Sequence, residues 1–381
     1  MIPSPTATFP RNHDTAAASR LPTVIPAEAP DRAVRARPLD ARGEPLPLVI
    51  EPGAAPLDAE GLAGWLRAHR GWIEGRLTAH GAVLLRGFPV SDAPRFERVA
   101  RAVSPELKND YLGTSPRDAL TPHVFSASEL PPYYPIPQHC EMSFTRTPPA
   151  RLFFGCLIAP RGAGGETPIV DFRKVYRDLD PEVRARFVAR GVRNLRCYCG
   201  PEGGSRLDLW KLKRWDEMFR TTDRATVEAR CRENGFDFTW LPGGRLRLVN
   251  VQPAARPHPV TGEPVWFNHA QVFHLSTAPA EYRRILRRQP RLDLRLLAGF
   301  AGAMVWLKRR LTADEDQAMQ CTYGDGAPIE DRDMEAVRDA IWQNLVTFRW
   351  REGDVLLLDN FAVAHGRMPY RGPRAVVVSW A

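Results

Sequence analysis

From Ala82 to the end, the chain is a succession of short apolar runs, each stopped by Pro, Gly or a polar turn. They are AVLLRGF, HCEMSFT, RLFFGCLIA, ETPIVDF, RLRLVN, EPVWFN, VTFRW, DVLLLD and AVVVSWA. Runs this brief, rich in Val, Leu and aromatic residues, read as strands rather than helices. They do not alternate regularly with helical patterns, which argues against a βαβ sheet. The expected fold class is therefore mainly β with flanking helices, built around an antiparallel sandwich or barrel. No G-x-G-x-x-G or P-loop motif is present, which removes support for a dinucleotide or P-loop nucleotide site.

The helical signals lie between these runs. Leu57 to Leu77 carries spaced apolar residues that suit an amphipathic helix, and SDAPRFERVARAV opens with two plausible caps, Ser91 and Asp92. DPEVRARFVARG and DRATVEARCRENG each begin with Asp and end with Gly, the expected start and stop of a helix. Residues 1–46 are rich in Pro, Ala and Arg and lack periodicity, so a flexible arm is expected there, followed by a single domain over 47–381. LLAGFAGAMVWL, Leu296 to Leu307, is the longest apolar run. As a helix it would rise about 18 Å, too short to span a membrane. It reads as a buried or lid helix within an insertion near 292–321, with an oligomer contact and a membrane-surface anchor as alternatives.

The net charge of +9 is dispersed, with no block of like charges, so no nucleic-acid tail is indicated. A mildly basic surface suits solvation, or an acidic partner such as a carrier protein. Six cysteines form no C-x-x-C pair, and the N-terminal residues lack a basic-then-apolar leader pattern. Reduced thiols in a cytoplasmic protein are expected. Cys197 and Cys199 would share one strand face as core packing.

Chemistry concentrates at His139-Cys140-Glu141. Nine histidines and 44 acidic residues in 381 supply about one His-x-Asp/Glu by chance, and one occurs. On a strand, residues i and i+2 share a face about 6.6 Å apart, so His139 and Glu141 would project together and Cys140 away. With His365 they could form a 2-His-1-carboxylate set that leaves positions open on a ferrous ion. Equally, His139 could be a loop histidine, Glu141 a surface carboxylate and His365 a turn residue. His269 and His274, five apart, fit neither a strand-face nor a helix-face metal pair and read as packing or supporting hydrogen bonds. Tyr111, Tyr133 and Tyr134 line a pocket or pack turns.

The stretches QHCEMSF, LFFGCLIAPRGAGGETPIVDFRKVYRDLDPEVRARF, TTDRATVEARCRENG, HPVTGEPVWFNHAQVFH, YGDGAPIEDRDMEAVRDA and GDVLLLDNFAVAHGRMPYRGPR run in family order over about residues 80–381. Together they resemble the taurine dioxygenase-like (TauD/TfdA) family of iron(II)- and 2-oxoglutarate-dependent oxygenases, within it the branch of syringomycin-type aspartyl hydroxylases. The resemblance implies a double-stranded β-helix (jelly-roll, cupin-like) core. It implies His139, Glu141 and His365 as ligands of Fe(II), with 2-oxoglutarate and O2 as co-substrates. Thr167 matches the threonine that contacts the 2-oxoglutarate tail, and Arg374 the arginine that pairs with its carboxylate, with Arg367 and Arg371 as competitors. A planar guanidinium fork suits that task. The ligand carboxylate is Glu rather than the commoner Asp, and its retention argues against halogenation.

The expected reaction is hydroxylation of an amino acid or amino-acid-derived small molecule, free or carrier-bound, in natural-product biosynthesis. Desaturation, epoxidation and cyclisation are alternatives of the same chemistry. A zinc hydrolase and a non-catalytic jelly-roll binding protein are the alternatives of other classes.

Overall fold

The computed structural model describes residues 28–40, 45–113, 117–201, 213–313 and 316–381. In chain order the elements begin with β1 (Val34–Arg37), β2 (Leu48–Pro52), α1 (Ala59–Ala68), α2 (Arg70–His80), β3 (Ala82–Leu85), α3 (Ala93–Val103), β4 (Phe125–Ser126) and β5 (Ile136–His139). They continue through β6 (Arg151–Ile158), β7 (Ile169–Asp171), α4 (Phe172–Asp178), α5 (Pro181–Arg190), β8 (Val192–Tyr198), α6 (Trp215–Phe219), α7 (Arg224–Asn234), β9 (Asp237–Leu241), β10 (Arg245–Gln252), β11 (Ala255–Pro257) and β12 (Pro264–Trp266). The last are α8 (Ala270–Phe273), α9 (Thr277–Arg288), α10 (Leu292–Leu311), β13 (Met319–Tyr323), α11 (Asp331–Gln343), β14 (Val355–Asp359), β15 (Val363–Arg367) and β16 (Ala375–Trp380).

A seven-stranded sheet, ordered β1-β2-β3-β14-β6-β16-β4, is antiparallel throughout except for the parallel β2–β3 pair. Side-chain alternation divides its residues between two cores. Val83, Leu85, Phe153, Val355, Leu357 and Val377 pack with Leu62, Leu66, Ile73, Phe96 and Val99 of α1, α2 and α3. Leu84, Leu152, Phe154, Leu356, Leu358 and Val378 point the other way, into a core shared with Ile169, Val170, Val363 and Ala364. Those four belong to a three-stranded sheet, β5-β15-β7. Each fully buried Leu or Phe contributes about 1.5–3 kcal/mol, so both faces are strongly specified. Gly155 on β6 is required by contact: a Cβ there would lie 2.5 Å from the Phe96 ring. A four-stranded sheet, β13-β8-β10-β9, and the β11–β12 pair complete the β-structure among the described residues.

The capping signals act as expected. Asp92, Asp180 and Asp223 accept backbone N–H bonds at the starts of α3, α5 and α7, and Gly235 ends α7 at φ 70°.

Several expectations differ from the structure. The amphipathic stretch from Leu57 is two helices, divided at His69 (φ −112°, ψ 25°), whose Nδ1 bonds the Trp65 carbonyl oxygen. VTFRW makes only an isolated bridge, Val346 to Ile169. The expected arm is not flexible throughout, because residues 34–37 pair with 49–52 as an edge strand that buries Val34. Residues 1–27 and 41–44 of that arm lie outside the described residues. Cys197 is on β8, but Cys199 lies past its end. The apolar run 296–307 is helical within α10, yet only Leu294 and Val305 of that helix are buried. Leu292, Leu296, Phe300, Trp306 and Leu311 are each more than half exposed.

Candidate active site

The two histidines are brought together by strand register. β15 lies between β5 and β7, and His365 is the direct cross-strand partner of His139. Their ring centroids are 4.6 Å apart. The strand ends at His139, so HCEMSFT is not a strand and Glu141 does not share a strand face with that histidine. Glu141 sits in the following turn, next to Met142 at φ 50°. The buried Asn360 side chain holds it there. Asn360 Oδ1 accepts from the Glu141 N–H at 2.7 Å, and Asn360 Nδ2 donates to the Glu141 carbonyl at 3.0 Å and to Pro149 O at 2.8 Å.

One ligand atom from each of His139, Glu141 and His365 lies within 4.8 Å of the other two. His139 Nδ1–H donates to Pro137 O at 2.9 Å, which leaves the Nε2 lone pair for a metal. His365 Nε2 lies 3.7 Å from Glu141 Oε2, and its Nδ1 is buried without a partner among the described residues. Burial, reinforced by His139 and Arg117, holds His365 well below the ordinary histidine range, so it is a neutral imidazole at pH 7. Two imidazoles and one carboxylate, converging on a cavity wall, fit a divalent iron that retains open positions. Cys140 is fully buried in the core, and burial raises its thiol far above the usual range.

The same cavity, of about 110 Å³, is lined by Thr167 and Arg374. Arg374 Nε donates to Gly165 O at 2.8 Å and Nη2 to Thr167 Oγ1 at 3.3 Å. Trp350 Nε1 donates to that same hydroxyl at 3.1 Å. No carboxylate pairs with Arg374 among the described residues; burial lowers it to about 10, so it stays charged at pH 7. Of the competitors, Arg367 lines the same cavity with its Nε unpartnered among the described residues, but both of its Nη groups are engaged by backbone. Those groups donate to the carbonyls of Leu130, Pro131 and Tyr134, and the exposed Arg371 pairs with Asp293 at 3.1 Å.

A profile of the "Taurine catabolism dioxygenase TauD, TfdA family" matches residues 42–380. The chain belongs to the TauD/TfdA family. It is an iron(II)- and 2-oxoglutarate-dependent non-haem oxygenase that uses O2, not a zinc hydrolase or an inert binding module. Among the relatives of this TauD/TfdA member is the dapdiamide synthesis protein DdaC of Enterobacter agglomerans, 30% identical over 81% of this chain and 84% of that one. A clavaminate synthase-like protein of Arabidopsis thaliana is 30% identical over 88% and 93%. The PvcB protein of Pseudomonas aeruginosa shares the fold at TM-score 0.51 with 15% identity, each chain covered to 93%.

No local pattern in the sequence announces Arg117 or Asn360 in this TauD/TfdA site. Arg117 Nη2 donates to Glu141 Oε2 at 2.7 Å and to Tyr111 Oη at 3.1 Å. Neither Arg117 nor Asn360 stands in a periodic run, and only the folded chain brings each to Glu141. His269 lines the cavity, shares a 2.6 Å hydrogen bond with Ser143 Oγ, and packs edge-on to His139. Burial first, then His139, keeps it well below the ordinary range. His274 instead bonds Ser276 and Ile329 O. Tyr111 and Tyr134 line the cavity, whereas Tyr133 is about half exposed. No helix of the described residues is long and apolar enough to cross a membrane.

Proposed function

We propose that His139, Glu141 and His365 hold the iron and that Arg374 and Thr167 hold the 2-oxoglutarate tail. The observation that carries this is the convergence of three ligand atoms within 4.8 Å on the cavity that also presents Arg374, which has no acid partner among the described residues. His139 presents Nε2 because Pro137 O takes its other proton, and neutral His365 presents a lone pair. Asn360 and Arg117 orient Glu141 from its backbone and carboxylate ends. Trp350 and Arg374 both donate to Thr167 Oγ1, which turns that hydroxyl's own proton outward toward an acceptor. When bound, iron and 2-oxoglutarate supply the oxidising chemistry: C–H, O2 and 2-oxoglutarate become C–OH, succinate and CO2. In this reading the seven-stranded and three-stranded sheets are the two halves of a jelly-roll core.

The substrate in this reading is an amino acid or amino-acid-derived molecule, free or carried by an acidic protein, hydroxylated at an unactivated carbon in natural-product biosynthesis. Support comes from relatives named for dapdiamide synthesis and for an isonitrile synthetic pathway. The six free thiols suit the cytoplasm, where they stay reduced. Anaerobic titration with Fe(II) and 2-oxoglutarate should give the visible charge-transfer band of the chelate. Its absence in the wild-type protein, or its survival in His139→Ala, refutes the ligand assignment. A succinate-release screen across amino acids and carrier-bound thioesters then tests the substrate class.

A further inference from the structure

We infer that Arg117, Lys213 and Tyr111 form a subsite for a carboxylate of the organic substrate, separate from the Arg374–Thr167 pair. Arg117 lines the cavity with its side chain only 5% exposed. Its Nη2 serves Glu141 and Tyr111, but Nε and Nη1 are buried with no acceptor among the described residues. A buried donor left unmade costs about 1–3 kcal/mol, and native structures rarely leave one so. Each edge of the guanidinium fork therefore retains an unused N–H beside Nη2. Because Nη2 is already engaged, a carboxylate can take one charge-assisted bond from either free N–H, or pair with a whole edge by replacing the Tyr111 hydroxyl on Nη2.

Charge points the same way. The Arg117 guanidinium stands 4.4 Å and the Lys213 ammonium 4.9 Å from the centroid of the Tyr111 ring. Lys213 has no ion-pair partner among the described residues, and burial with Arg117 and Arg220 nearby pushes it down to about 8. Among the described residues the carboxylate bonded to Arg117 is Glu141, which the proposed iron also claims, while Glu217 and Glu141 act on Lys213 through space. On that reading, Fe(II) and the 2-oxoglutarate dianion cancel, and Arg117 and Lys213 remain as excess positive charge. An anionic substrate group removes both the excess charge and the unmet donors. A substrate tethered through its own carboxyl as a thioester would then need a second carboxylate.

The test is calorimetric titration, under argon, of protein supplied with Fe(II) and 2-oxoglutarate. The probes are matched pairs: monocarboxylic, dicarboxylic and N-acyl amino acids, each beside its carboxamide. Acids of the panel should bind the wild-type protein at least tenfold more tightly than their amides, given roughly 1.5–3 kcal/mol for hydrogen bonds to charged groups. Lys213→Gln and Arg117→Gln should close that gap by weakening the acids roughly 10- to 100-fold. Arg117→Lys, which keeps the charge without the fork, should recover part of it. If Arg117→Gln does not fold, Lys213→Gln decides, because Lys213 touches no proposed iron ligand. The subsite is overturned by a gap that survives either substitution to Gln, by amides as tight as acids in wild type, or by a panel in which no acid binds. The charge-transfer band, recorded on the same samples, reads the iron assignment separately. Its loss in wild type would sink that assignment while the acid–amide gap still decides the subsite.

Discussion

Replacing Asn360 by Ala should damage the fold and the metal centre together. Its side chain is fully buried and makes three hydrogen bonds, of 2.7, 3.0 and 2.8 Å, to Glu141 N, Glu141 O and Pro149 O. Removal strands one donor and two acceptors away from water. At about 1–3 kcal/mol for each unmet buried group, with partial relaxation, the loss is about 3–5 kcal/mol. Urea denaturation at pH 7 should show a lower midpoint at an unchanged slope. The stranded groups belong to the turn that aims Glu141, so iron affinity should also fall about 10- to 100-fold, as it does when supports of metal ligands are cut. Asn360→Asp keeps the acceptor for the Glu141 N–H but sets a carboxylate against two carbonyl oxygens, and it should be no more stable than Asn360→Ala. An Asn360→Ala protein within about 0.5 kcal/mol of wild type would refute the stability argument. A destabilised variant with undiminished iron affinity would refute the positioning role.

Three further outcomes follow from other parts of the molecule. Arg374→Ala should raise the 2-oxoglutarate requirement roughly 10- to 100-fold, the value of a charge-assisted pair, while iron binding measured without 2-oxoglutarate is retained; an unchanged requirement would remove Arg374 from the tail site. Asp354, fully buried, receives Arg86 Nε at 3.0 Å and Nη2 at 2.7 Å, so Asp354→Ala leaves a buried cation and should cost about 3–5 kcal/mol in denaturation. Glu281 is pushed up to about 7, chiefly by burial. Its folded form holds a proton more tightly than the unfolded chain, so its contribution to stability falls as pH rises from the ordinary carboxylate range through 7. Glu281→Gln should remove that slope, and the gap between wild type and variant should change by about 3 kcal/mol between pH 4 and pH 8; parallel stability curves would show that Glu281 is not buried as described.

Much of the core is legible because a short apolar run stopped by turn residues is local information. AVLL, RLFFGCLI, VLLLD and AVVVSW are strands, and their odd and even residues face different cores. The helix caps at Asp92, Asp180 and Asp223 were legible for the same reason, since a cap is read within a few residues. His139 and Glu141 were paired from strand spacing that the chain does not adopt there. What brings them together is Asn360, some 220 positions away, and no local pattern announces such a contact. The contact of Arg117 with Glu141 is hidden on the same ground. The apolar run 296–307 reads as a buried or lid helix, with an oligomer contact or membrane-surface anchor as alternatives, because composition does not say whether a neighbour covers that face, and several large apolar residues of α10 face outward.

The three proposed ligands are therefore fixed by different means. His139 and His365 are opposite residues on a paired ladder, so their backbones move only if β5 and β15 slip, and a one-residue slip would reverse every side chain on the strand. Glu141 has no ladder. Its place depends on the side chains of Asn360 and Arg117, and Asn360 belongs to the turn between β14 and β15. That turn is secured in its own right: the fully buried Asp359 receives Arg151 Nη1 at 3.1 Å and His258 Nε2–H at 3.1 Å. The His258 proton is on Nε2 because its Nδ1 accepts the Val260 and Thr261 N–H groups. Hydrogen bonds thus run from the β11–β12 turn to Asp359, and its chain neighbour Asn360 carries them on to the Glu141 backbone. Substitutions along this route should change iron affinity while leaving the two histidines in register, whereas substitutions that break the β5–β15 pairing should remove both histidines at once.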